Sequence, residues 1–165
     1  MQKSFSKSES AWGIKMTDSA RYEEVLIRHN RYPSYKRIIK EAAYIREGIN
    51  PGCGDEIKVY VDIENEVIKD ASFDGSICAL SQTCADLMID SIIGKSVKEV
   101  IKITDTVLKA SEKKGEFSPE GSPINKEDEQ IGGLEIVKYY SESKALTKCT
   151  LLGWKTLYKL IKEVQ

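Results

Sequence analysis

Histidine is almost missing from this chain. Of 165 residues only His29 is one, so imidazole cannot supply a cluster of metal ligands. Any metal site must draw on thiols and carboxylates. An excess of one charge is missing too: 25 Lys and Arg stand against 26 Asp and Glu, for a formal net charge of −1. That balance removes the usual electrostatic reason to expect a nucleic-acid partner. Long apolar runs are absent, and no stretch approaches the roughly 18 residues of a membrane span. The N-terminal stretch MQKSFSKSESAWGIKMTDSA lacks the apolar core of a secretory signal. No nucleic acid and no membrane are expected as partners, and the expected location is cytoplasmic. There is no internal repeat.

What is present is the composition of a globular protein, 41% apolar and 31% charged, on a chain long enough for one domain with a real core. Residues 1–18 read as a flexible polar extension and residues 19–165 as a single domain. Four cysteines, Cys53, Cys78, Cys84 and Cys149, favour metal binding or thiol chemistry over disulfides in a chain with no sign of export.

Along the sequence, Tyr22, Val25, Leu26 and His29 share one face of a helix from Ser19 to about His29; Pro33 marks its end. Residues 36–47 read equally as an edge strand or a helix tail. Ile57, Val59, Val61 and Ile63 alternate with Lys58, Tyr60 and Asp62, the period of a strand with one buried face. A tight turn at Glu64-Asn65 and a return strand over 66–73 complete an antiparallel hairpin. Asp74-Gly75-Ser76 breaks it, with Ser76 as the cap of the next helix. Further helices are expected over 78–93, 96–111, 133–140 and 147–164, and an exposed insertion near 112–132, rich in proline, glycine and charge. The fold class is α+β, a small antiparallel sheet packed against several helices.

The stretch NPGCGD, residues 50–55, raises a chemical question. A turn needs Asn50, Pro51, Gly52 and Gly54, but not Cys53 and Asp55. Cys78 and Cys149 both fall at expected helix starts, where unpaired N–H groups and the dipole favour thiolates. Together with Cys53 and Asp55 they give an S₃O set, sufficient for tetrahedral zinc. The gaps between the cysteines, 25 (78 − 53) and 71 (149 − 78) residues, are not those of a zinc finger. By spacing alone, small buried cysteines explain the pattern as well as a metal site does.

NPGCGD before an alternating strand, then FDGSICALSQTCADLM, GKSVKEV and KCTLLGWKTL, resembles the iron–sulfur assembly family of NifU, IscU and SufU proteins over about residues 20–164. KCTLLGW, where the IscU branch has a His-Cys pair, together with the long insertion, resembles the SufU branch. The resemblance implies a SufE/NifU-like fold and a zinc ion held by Cys53, Asp55, Cys78 and Cys149. Cys53 becomes the nucleophile that takes persulfide sulfur from a SufS-type cysteine desulfurase, freed when a desulfurase histidine takes over the zinc. Sulfur then passes to downstream iron–sulfur assembly proteins. The alternative is a scaffold on which a [2Fe–2S] cluster is built; a third reading is a zinc that only supports folding. Departures from the family pattern are Ile77 in place of glycine, Leu146 in place of arginine, and HNRYPSY over 29–35 in place of HYxNPRN. Cys84 reads as a core residue, His29 as a packed or capping residue, and Lys148 equally as a tuner of Cys149 or a solvated side chain.

Overall fold

The computed structural model describes residues 17–112 and 131–164. The expected extension therefore lies outside the described residues except for its last two. Those two begin the first helix, α1 (Asp18–Arg31), with Thr17 as the cap whose Oγ1 accepts the Ala20 N–H. Most of the expected insertion, 113–130, also lies outside them.

The alternation beginning at Ile57 becomes a strand. Two further strands flank it in an antiparallel sheet ordered β1 (Tyr44–Asn50), β2 (Asp55–Glu64), β3 (Val67–Ser76). Ile57, Val59 and Val61 are buried on one face of β2 as the period requires. The β2–β3 turn falls one residue later than expected. Asn65 and Glu66 both adopt positive φ, 52° and 63°, the conformation that a two-residue turn needs to match strand twist.

The ambiguous segment resolves as the edge-strand alternative: from Tyr44 it enters β1, which continues to Asn50 as the third strand. One reading is corrected. Gly75 does not break β3: it stays in the ladder opposite Ile57 at φ 143°, where a Cβ would stand 2.1 Å from the Glu56 carbonyl oxygen. Ser76 accordingly closes the strand instead of capping a helix.

Beyond the sheet the described residues form four more helices: α2 (Ala79–Ile92), α3 (Val97–Glu112), α4 (Leu134–Tyr139) and α5 (Lys144–Val164). A reciprocal cap starts α3, with the Ser96 N–H on Glu99 Oε2 and the Glu99 N–H on Ser96 Oγ. Helices α2 and α5 pack on the inner face of the sheet. Phe73, Met88, Ile89, Trp154, Leu157 and Ile161 are fully buried there, each contributing about 1.5–3 kcal/mol relative to exposure. Close approach of α5 to the edge strand depends on Gly48, where a Cβ would meet Thr156 Oγ1 at 2.0 Å.

A smaller cluster joins α1 to the far side of α2: Tyr22, Leu80, Cys84, Leu87, Ile136 and Cys149, with Val25 and Leu26 against it. Asp86, 1% exposed at its side chain, anchors the segment between α1 and β1. It contacts His29 Nδ1 at 2.6 Å and accepts the Ser34 and Tyr35 N–H groups at 3.2 and 2.8 Å. Tyr35 and Arg37 then exchange backbone hydrogen bonds with Phe73, covering the free edge of β3. Among the described residues, no helix is long and apolar enough to cross a membrane.

Candidate metal centre

The turn between β1 and β2 is built by Asn50. Its carbonyl accepts the N–H groups of Cys53 and Gly54 at 3.3 and 3.0 Å, and its side-chain oxygen accepts the Gly52 N–H at 3.2 Å. Gly54 reverses the chain at φ 72°, a region that side chains with a Cβ seldom enter. The result is an abrupt change of environment across three residues. Cys53 is exposed at the tip, whereas Asp55 is 4% exposed at its base.

The start of α2 meets that base. Cys78 is the cap residue, in extended conformation, and its sulfur accepts the Ser81 N–H at 3.4 Å. The Cys78 N–H donates to Asp55 Oδ1 at 2.9 Å, and the Ser81 hydroxyl donates to Asp55 Oδ2 at 2.8 Å. Ser81 Oγ also lies 3.2 Å from the Cys78 sulfur and 3.1 Å from the Cys149 carbonyl oxygen. Its single proton belongs with the carboxylate, the stronger acceptor. Ser81 therefore touches three of the four expected ligand residues. Sequence periodicity puts it on the small-residue stripe of its helix and misses this role. Its spacing, three residues after a helix cap, is the available signal.

From the other side, α5 delivers Cys149. Its sulfur lies 3.9 Å from that of Cys53 and 3.9 Å from Asn50 Nδ2. Ligand atoms of Cys53, Asp55 and Cys149 all lie within 4.8 Å of one another. Cys78 is not part of that group; its sulfur lies 3.2 Å from Ser81 Oγ, and its N–H is tied to Asp55 in the same cluster. Three of the four expected residues are thus brought together directly, and the fourth is adjacent.

One expectation fails. Cys149 is not at a helix start, because α5 begins at Lys144, and the dipole argument does not reach it. Burial, followed by the neighbouring Cys78 and Cys53, pushes its thiol up to about 12. Asp55 behaves oppositely. Burial raises its carboxyl, but hydrogen bonds from Cys53, Ser81 and Cys78 outweigh that and hold it below its ordinary 3.8. The cluster thus pairs an ionised carboxylate with a buried protonated thiol, which a bound cation would ionise.

The donors fit zinc. Two thiolates at about 2.3 Å from a tetrahedral ion are about 3.8 Å apart, against the observed 3.9 Å. The remaining singled-out residues stand elsewhere. His29 is engaged by Asp86, and Cys84 is 2% exposed, with its thiol raised far by burial. Ile77 packs on the main core, and Lys148 and Leu146 are exposed.

Comparison with known proteins identifies the family. The family described as "NifU-like N terminal domain" matches residues 21–163. The chain is 34% identical to the iron–sulfur cluster assembly scaffold protein IscU of Thermotoga maritima, over 87% of this chain and 94% of that protein. It is 26% identical to the zinc-dependent sulfurtransferase SufU of Bacillus subtilis, over 84% and 87%. Among solved structures, it superimposes on the putative iron–sulfur cluster assembly scaffold protein for the SUF system from Fervidobacterium islandicum with a TM-score of 0.72. That match is at 26% identity and covers 88% of this chain and 99% of the other. With its helix-backed three-stranded sheet and a family pattern running almost end to end, the chain belongs to the NifU-like N-terminal domain family, among relatives named for iron–sulfur cluster assembly.

Proposed function

We propose that this protein is a sulfur acceptor for iron–sulfur cluster assembly, taking persulfide sulfur on Cys53 from a cysteine desulfurase at a zinc site formed by Cys53, Asp55, Cys78 and Cys149. The observation that carries the reading is the gradient of exposure across the donors. Cys53 is exposed on a hairpin tip, while Asp55 and Cys149 are buried beneath it. Cys53 is the donor most open to a partner protein, Cys78 is half-buried, and Asp55 and Cys149 are placed to stay with a metal. A S₃O set without histidine supports the same reading, as does a relative named a zinc-dependent sulfurtransferase.

In the transfer step the Cys53 thiolate attacks the terminal sulfur of the partner's persulfide. A new sulfur–sulfur bond forms on Cys53, the partner's own sulfur–sulfur bond breaks, and the partner leaves as a thiolate, with no net oxidation. Bound zinc supplies positive charge that keeps the thiols ionised at neutral pH. The chain's residues do the rest. Asn50 and Gly54 present Cys53 outward, Ser81 and the Cys78 N–H fix the Asp55 carboxylate, and the packing of α5 on α2, with Gly153 against Ala85 and Met88, carries Cys149 to the site.

A second reading has its own support: the 34% identical relative is named a scaffold, and three thiolates also suit a [2Fe–2S] cluster as cargo. The test is the metal content of aerobically purified protein, followed by desulfurase turnover with wild type and Cys53→Ala. Stoichiometric zinc and stimulation lost in the variant support the acceptor. A brown protein carrying iron and sulfide supports the scaffold, and zinc without effect on the desulfurase leaves a structural metal.

A further inference from the structure

Helix α5 is buried on almost every side, and its one solvent-facing strip is chemically uniform. Past its first turn every exposed residue except Glu163 is lysine: Lys148, Lys155, Lys159 and Lys162; Lys144 opens the helix on the same line. At about 100° per residue these five lie within an arc of about 60°. Among the described residues none of the five is in an ion pair, while Glu163 is bound to Arg46.

A solvent face must be polar, and lysine stems cover apolar surface well. That accounts for polarity but not for a single sign. Stability alone favours alternating Glu and Lys four residues apart, and here Lys144 with Lys148 and Lys155 with Lys159 place like charges at that spacing. It also favours acidic residues where a helix begins, yet the first turn of α5 has none and starts with lysine. On a chain of net charge −1, the row is a segregated patch held against local electrostatics.

Its position gives it a use. Strand β1 lies alongside α5: Asn50 faces Cys149, Gly48 faces Thr156, and Arg46 faces Glu163. The lysine row runs for about 27 Å along the same helix and flanks that seam over most of this length. Lys148, near its N-terminal end, is the residue before Cys149, whose sulfur is 3.9 Å from that of exposed Cys53. A body resting on the row is therefore held to the helix that carries one side of the site.

We propose that the lysine row of α5 is the docking surface for an acidic ridge on the protein that brings sulfur to Cys53, an inference that rests on the sulfur-acceptor reading. An anionic membrane fits less well, because the apolar face of α5 is committed to the core and the row itself has no apolar side chain to insert. Nucleic acid fits less well on a chain of near-zero net charge whose row contains no arginine.

The test is the triple variant Lys155→Glu, Lys159→Glu, Lys162→Glu in the full chain, which leaves Lys144 and Lys148 beside the site untouched. Affinity for the cysteine desulfurase of the source organism is measured at about 50 and about 300 mM salt, alongside stimulated turnover, metal content and circular dichroism. The expected result is affinity weakened about tenfold at low salt, with most of the wild type's salt dependence gone. Maximal stimulation at saturation, metal content and fold are unchanged. Affinity within about twofold of wild type at low salt overturns the proposal. So does charge-dependent binding to phosphatidylserine–phosphatidylcholine vesicles or duplex DNA with desulfurase affinity unaltered. Charge-dependent desulfurase binding without stimulation upholds the lysine surface and overturns the sulfur-acceptor reading; stimulation with charge-blind binding does the reverse.

Discussion

The sulfurs of Cys53 and Cys149 stand 3.9 Å apart although 96 positions separate them in sequence. A hairpin tip and a helix meet there, and without a cation the two thiols face each other with one of them buried. An oxidant that removes two hydrogens closes such a pair with little movement. Metal-stripped protein treated with diamide is therefore expected to give a Cys53–Cys149 cross-link on peptide mapping, and metal-loaded protein to resist it. Cys84, whose burial pushes its thiol far up, stays reduced and unlabelled until the chain unfolds. A dominant bond from Cys84 would show that the small cluster around it opens more readily than the site does.

Acid should act on Asp55 in a defined direction. Its folded carboxyl lies below its ordinary 3.8, burial being outweighed by hydrogen bonds from Cys53, Ser81 and Cys78. Just below pH 4 the unfolded chain thus binds more protons than the folded one, and stability falls as pH falls. The contribution is complete above about pH 4 and disappears as pH drops through the folded value. Urea unfolding of chelator-treated protein between about pH 5 and 2.5 should be steeper for wild type than for Asp55→Asn. Parallel curves would remove the carboxylate from the account.

Asp86 is the second buried carboxylate with several partners, and it lies outside the site. Truncating it to alanine strands the Ser34 and Tyr35 N–H groups and the His29 ring. A loss of about 3 kcal/mol in urea unfolding is expected, because three part-buried groups lose a charged acceptor together. Asp90→Ala removes only the acceptor of the half-buried Tyr35 hydroxyl and should cost about 1 kcal/mol. Equal losses would mean that the link from α1 to the sheet edge is not held through Asp86.

The contrast between β2 and β1 explains how far the sequence can be read. Strand β2 places Ile57, Val59 and Val61 inward, so its period is visible in hydrophobicity. Strand β1 turns Ile45 and Ile49 outward, 49% and 64% exposed, and uses Gly48 inward so that Thr156 can approach. Its pattern is inverted by a neighbour more than a hundred residues away, and no local reading recovers it. The start of α5 is legible in Ser143, which caps it through the Leu146 N–H, yet the apolar period alone points to a start beside Cys149. The resemblance names the ligand residues; their convergence is tertiary and has no trace in a spacing of 25 or 71 residues.

Ser81 carries the last prediction. Its hydroxyl gives Asp55 Oδ2 a hydrogen bond at 2.8 Å and faces the Cys78 sulfur at 3.2 Å, so Ser81→Ala takes the hydroxyl donor from a buried carboxylate. Groups that orient a metal's ligands typically shift affinity 10- to 100-fold, and about tenfold weaker zinc binding is expected in competition with a chromophoric chelator. The fold should survive with a loss of about 1–2 kcal/mol. Thr83→Ala is the control. Its hydroxyl is equally buried in α2 but donates to the Ala79 carbonyl and accepts from Asn30. That variant should lose similar stability and hold zinc as wild type does. Were both to bind the metal alike, Ser81 would be only another satisfied core hydroxyl, and the carboxylate would owe its position to its remaining donors.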